Sequence, residues 1–137
     1  MTDIAAIYRE VLEEAWSGGS QEVFERYTPD FMLVGPMIPN GVRGAEGERE
    51  RIAGFRHAFP DLRFTVDEQI VEGNRVVTRW TVQGTHEGEF AGIAPTGRSF
   101  PIGGVSIATF SDDGLLTGAW TMWDVHGLLT ALQAPAV

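Results

Sequence analysis

The sequence predicts an α+β fold, with helices packed on one face of a strongly curved antiparallel sheet. Three observations predict it. Apolar residues recur at helical spacing before Pro60 and alternate with a period of two from Leu62 onward. The helices therefore come first and a meander of strands follows, an order that gathers the helices on one side of a sheet. The last two strands are apolar on both faces, so one face is left for a second cover beyond the helices.

Taken in order, Ile4, Ile7, Tyr8, Val11, Leu12, Ala15 and Trp16 form one helical stripe, with Thr2 or Asp3 to cap its start and Gly18-Gly19 to stop it. Ser20 caps a second short helix that runs to about Tyr27 and is ended by Pro29. Phe31 to Val34 reads as a short strand, and Gly35 to Gly44, rich in glycine and proline, as a loop. Ala45 to Phe59 is a third helix. Ile52, Phe55 and Phe59 share a face, and Glu46, Glu48, Arg49, Glu50 and Arg51 crowd the other sides. Gly47 and Gly54 weaken it by about 1 kcal/mol each relative to alanine, so packing must hold it.

After the Pro60-Asp61 turn, Leu62, Phe64 and Val66 alternate with Arg63, Thr65 and Asp67. The turn Glu72 to Arg75 leads to a strand with Val76, Thr78, Trp80, Val82, Gly84 and His86 on one face. A longer connection, Gly88 to Gly97, precedes a strand from Arg98 to Phe110 and, past the turn Ser111 to Gly114, a last strand from Leu115 to Trp123. Simple alternation puts Leu116, Trp120 and Met122 on one face of that strand and Leu115, Ala119 and Trp123 on the other. A terminal helix carries Leu128, Leu129 and Leu132.

The chain has 137 residues, the usual size of one domain, and residues 1–137 are read as a single domain without repeat, linker or low-complexity segment. Cysteine is absent, which removes disulfides, zinc–thiolate sites and thiol nucleophiles. The three histidines, at positions 57, 86 and 126, lack the spacing of a metal site. The net charge is −9 and all ten basic residues are arginine. Nucleic-acid binding needs a basic face to displace counterions from phosphate, so this balance argues against it. The first residues carry no basic region followed by an apolar run, and no stretch is long enough to span a membrane; a soluble cytoplasmic protein is the default. Gly44 to Gly47 is not followed by the lysine a phosphate loop requires.

The order of elements, with Ala58-Phe-Pro-Asp-Leu-Arg-Phe64, Val77-Thr-Arg-Trp-Thr-Val-Gln-Gly-Thr-His86, Gly88-Glu-Phe-Ala-Gly-Ile-Ala-Pro-Thr-Gly97 and Trp123-Asp-Val-His-Gly-Leu-Leu129, resembles the SnoaL-like polyketide cyclases, or ester cyclases, of the nuclear-transport-factor-2-like superfamily. The resemblance covers nearly the whole chain. It implies a cone of helices wrapped by the sheet, an apolar cavity between them, and an intramolecular aldol closure that uses no cofactor. Such chemistry needs a poised acid/base group in a dry, shaped pocket. In the family that group is an aspartate on the last strand, directly after its tryptophan. Thr121 stands there in this chain. The same fold also hosts isomerases, epoxide hydrolases and plain binding modules.

Three residues are the acid/base candidates. His86 ends the Trp80/Val82 face, and histidine is a residue type suited to general acid or base work; the alternative is a rim histidine bonded to a backbone carbonyl. Asp124 is an acid beside Trp120 and Met122 on one reading and the N-cap of the terminal helix on the other, and the cap is favoured. A bulge in the last strand would reverse its parity. Glu89 supports His86 or is a solvated loop acid. Trp80, Trp120, Met122, Met32, Met37 and Phe90 are expected to wall the pocket, Tyr8 and Trp16 to close it, and Thr121 to hydrogen-bond a substrate oxygen. The expected partners are a small apolar or aromatic carbonyl compound and a second copy of the chain on the outer sheet face. The competing readings are a non-catalytic binding module, closure by pocket shape alone, an epoxide hydrolase drawing on Glu87 and Glu89, and a ketosteroid-isomerase-like site with Tyr8 or Tyr27 as donor.

Overall fold

The computed structural model describes residues 2–133. The first helix, α1 (Ile4–Trp16), starts where the Asp3 carboxylate accepts the Ala6 N–H at 3.0 Å, and it buries Ile4, Tyr8, Val11, Leu12 and Ala15. The short helix expected after Ser20 is a 3-10 helix, Gln21–Arg26, and Pro29 lies in the strand that follows rather than ending the helix. Ser20 caps it through Glu22 N–H, and strand β1 (Tyr27–Val34) begins at once, leaving too few residues for α-type turns. The segment expected to be only loop contains β2 (Val42–Arg43), whose Arg43 pairs with Met32 of β1. Helix α2 (Gly44–Ala58) follows, then β3 (Arg63–Glu72), β4 (Arg75–Thr85), β5 (Ser99–Phe110), β6 (Leu116–Trp123) and α3 (Val125–Gln133).

The strands form one six-stranded sheet in the order β2-β1-β6-β5-β4-β3. Every neighbouring pair is antiparallel except β1 with β6, which run parallel, so the sheet is mixed. Its register shifts between β1 and β6 and at two single extra residues. Val66 faces Trp80 while Glu68 faces Arg79, so Asp67 is a bulge in β3; Phe110 faces Leu116 while Thr109 faces Gly118, so Thr117 is a bulge in β6. Each bulge kinks its strand and exchanges the faces of everything beyond it.

The helices lie against the concave face. One buried cluster joins α1, β1 and the sheet through residues such as Val11, Phe31, Phe64, Val76 and Phe110. A second joins the end of α2 to α3 through Phe59, Leu62, Phe90, Ile102 and Leu128. Each of these large side chains contributes about 1.5–3 kcal/mol when fully buried. No helix among the described residues is long and apolar enough to cross a membrane.

Candidate active site

Between the two clusters lies a cavity of about 80 Å³, walled by aromatic side chains of every layer, among them Tyr8 and Trp16 from α1, Tyr27 from β1, Phe55 from α2, Trp80 from β4 and Trp123 from β6. The alternation of β4 puts Thr78 and Trp80 inward, and the register of the sheet sets Thr78, Ser106 and Thr121 side by side on three strands. All three are buried. The Trp80 indole lies across Gly104, the residue opposite it, where a Cβ would clash with the benzene part of the ring. From there Trp80 Nε1 donates to Ser106 Oγ at 2.9 Å, and Ser106 Oγ donates to Thr121 Oγ1 at 3.1 Å. An indole N–H can only donate, so Ser106 Oγ accepts from it and keeps its own hydrogen to pass on. With Ser106 donating, the Thr121 hydroxyl donates to no acceptor among the described residues.

Tyr8 and Tyr27 supply two more hydroxyls. Burial pushes the Tyr8 phenol well above its ordinary pKa, against the Ser106 hydroxyl and with the charge of Glu48 adding to the rise. Burial raises Tyr27 too, helped by Glu48 and Tyr8. Both phenols are therefore neutral donors across the physiological range.

Among the described residues lining the cavity, Glu48 and Arg51 alone carry charge. They sit one turn apart on α2, with Arg51 Nε 2.6 Å from Glu48 Oε1. Glu48 is 5% exposed. The Arg51 guanidinium lies over the rings of Trp16, at 5.0 Å, and Phe55, at 5.6 Å. Both residues are expected from the sequence on the sides of this helix away from Ile52, Phe55 and Phe59, and the structure corrects that. Spacing was the available signal: Glu48, Ile52, Phe55 and Phe59 step by four, three and four, and Arg51 is one turn before Phe55.

Of the residues singled out in the sequence, Tyr8, Trp16, Tyr27, Trp80 and Thr121 line the cavity. The others lie elsewhere. Trp120 and Met122 are 41% and 50% exposed on the outer face, because the Thr117 bulge turns them out and Thr121 in. Met37 is exposed, and Met32 packs on the opposite side of β1 from Phe31 and Leu33, against the turn at Gly41. Phe90 is buried behind the wall, against Phe55 and Phe59.

The acid/base candidates are also outside. His86 is fully buried beyond the end of β4, and its Nδ1 accepts the Thr96 N–H at 3.2 Å, which leaves the ring proton on Nε2. Nε2 has no partner among the described residues, and the ring packs on Phe59. Asp124 is exposed and caps α3, accepting the Gly127 N–H at 2.8 Å. Glu87 and Glu89 are exposed in the loop after β4.

An α+β cone around an aromatic cavity with few, convergent polar groups defines a small-molecule site. The family description "SnoaL-like polyketide cyclase" matches residues 5–132, and the chain belongs to that family. The aklanonic acid methyl ester cyclase AcmA of Streptomyces galilaeus is 29% identical over 73% of this chain and 70% of its own length. A polyketide-cyclase-like protein of Acidithiobacillus ferrooxidans superposes with a TM-score of 0.85 at 28% identity, covering 98% of this chain and 97% of the other. The hydroxylase-like AclR of Streptomyces galilaeus gives 0.78 at 29%, over 98% and 86%.

Proposed function

We propose that this protein closes a ring in a polyketide-like or other apolar carbonyl compound, without a cofactor, inside the aromatic cavity. The observation that carries the reading is the hydrogen-bonded chain Trp80–Ser106–Thr121, whose last hydroxyl lies in the cavity wall with a hydrogen free to donate. In an aldol closure a C–H bond next to one carbonyl breaks, the carbon bonds to a second carbonyl carbon, and that oxygen takes the proton. The product has the mass of the substrate. Thr121 donates to an oxygen that gains charge on the way, and the low-dielectric surroundings strengthen that bond where it matters. The flat rings of Trp16, Trp80 and Tyr8 hold a planar substrate in a folded, reactive geometry.

Aklanonic acid methyl ester, the compound in AcmA's name, is the first substrate to test. Chromatography with mass detection is expected to show an isobaric product, and Thr121→Val to slow its formation about 10- to 100-fold with little change in binding, the loss that follows removal of one oxyanion donor. Tight binding with no product would favour the competing reading, a binding module, which the absence of His86, Asp124 and Glu89 from the cavity wall supports.

The same reading includes a homodimer. Val34 and Trp120 are register partners, Trp120 pairs with Ile107 and Met122 with Val105, so an apolar patch runs over three strands of the outer face. A second copy covers it about a two-fold axis.

A further inference from the structure

We infer that Glu48 and Arg51 carry the proton transfer of this site, taking on α2 the role for which the last strand offers only Thr121, and that the group they act on is an aryl ketone with an enolisable neighbouring carbon. The assignment rests on the cyclase reading above. Its basis is placement. These are the two charged residues among the described lining of an otherwise aromatic cavity. Removing an ion pair from water can cost more than the pairing returns, and an apolar pair of similar size often serves stability as well. Only half of each group is committed to the other. Glu48 Oε1 accepts from Arg51 Nε, whereas Oε2 accepts from no donor among the described residues. Arg51 spends Nε on that bond, and Nη1 and Nη2 donate to no acceptor among the described residues. The rings of Trp16 and Phe55 hold the guanidinium plane in place.

A ketone oxygen accepting from an Arg51 Nη brings its α-carbon, two bonds away, beside the carboxylate. Glu48 Oε2 takes the α-proton, and the C–H electrons move into an enolate whose negative oxygen stays on Arg51. The enolate carbon then bonds to the second carbonyl carbon. The π electrons of that carbonyl go to its oxygen, which accepts the Thr121 hydroxyl bond as it charges. The Glu48 carboxylic acid returns its proton to this alkoxide and is a carboxylate again. No electron or atom is left over.

The probe is 2-acetylnaphthalene in buffered deuterium oxide, with loss of its methyl proton signal followed by NMR and its affinity by quenching of tryptophan fluorescence. The wild-type protein is expected to exchange the methyl protons faster than buffer alone. Glu48→Gln is expected to slow exchange at least 100-fold, the usual share of a general base, with affinity changed less than about 3-fold. Glu48→Asp, one methylene shorter, is expected to restore part of the rate. Arg51→Met is expected to lose exchange and affinity together. Should the single variants unfold because one charge is left unpaired, the double variant Glu48→Gln/Arg51→Met leaves none, and its exchange is expected to be lost while its circular dichroism stays native. The assignment is overturned if Glu48→Gln exchanges within about 2-fold of wild type, or if wild type fails to bind the ketone or binds it without exchange. Ring closure that persists in Glu48→Gln would leave the cyclase reading standing and remove this one. Exchange without ring closure of any tested ester would do the reverse.

Discussion

Thr121 shows how much one side chain decides at the end of a donor chain. Its hydroxyl cannot carry a proton between neutral-pH states, but it can place one hydrogen bond where charge develops, because Ser106 and Trp80 already hold it. A carboxylate there would accept the Ser106 hydrogen instead and present no donor to the substrate. Asp61 makes the contrasting case at the surface. It accepts the Thr85 N–H at 2.6 Å and the Thr85 hydroxyl at 2.8 Å, and these bonds, the backbone one first, hold its carboxyl below the ordinary aspartate range. The unfolded chain then binds a proton more tightly than the native one. The stabilisation is therefore present above the ordinary aspartate pKa and is lost as pH falls through the lower native value. Asp61→Ala is expected to cost about 1 kcal/mol or less at neutral pH, solvent screening keeping it small. That cost should shrink in acid, which urea titrations at the two pH values would measure.

Among the elements, β4 was the most legible and β6 the least. From Val76 to Val82 the strand pairs with both neighbours in unbroken register on the β5 side, so counting by two finds the inward face and places Trp80 correctly. In β6 the same counting starts from buried Leu116 and gives the wrong face for Trp120 and Met122, since nothing about Thr117 as a residue marks it as the bulge. Helix α2 misled for a different reason. Its apolar face is plain in Ile52, Phe55 and Phe59, but only the register of Glu48 with Ile52 and Phe55 reveals that a charged pair shares that face. The loop after β4 hid His86, whose direction depends on Thr96, ten residues later and adjacent only in the fold. Glycine at 104 is the element-scale condition for the site. Gly104→Ala is expected to push the Trp80 indole off Ser106, to destabilise the protein by about 1–3 kcal/mol as overpacking does, and to break the donor chain. A lowered melting temperature together with altered tryptophan emission would record it.

For the molecule as a whole, the sheet has two working faces. The concave face holds the cavity, and the convex face exposes Val34, Trp120 and Met122 together. An apolar patch of that kind, on a chain with a net charge of −9, is expected to be covered by a partner rather than left to water. Sedimentation is expected to give a dimer for the wild type and a monomer for Trp120→Glu, with the cavity's ligand affinity preserved in the monomer. Retention of the dimer would place the interface elsewhere.

The extra residue in β6 makes position 117 the tolerant point of the strand. Loss of that single codon would leave Leu116 opposite Phe110 and Gly118 opposite Thr109 as neighbouring pairs, so the ladder would close up with the indole and thioether still on the outer side and the hydroxyl still toward the ligand. Relatives whose genes lack this one triplet would thus lose the local bend while keeping both the lining of the hollow and the surface offered to a neighbouring subunit.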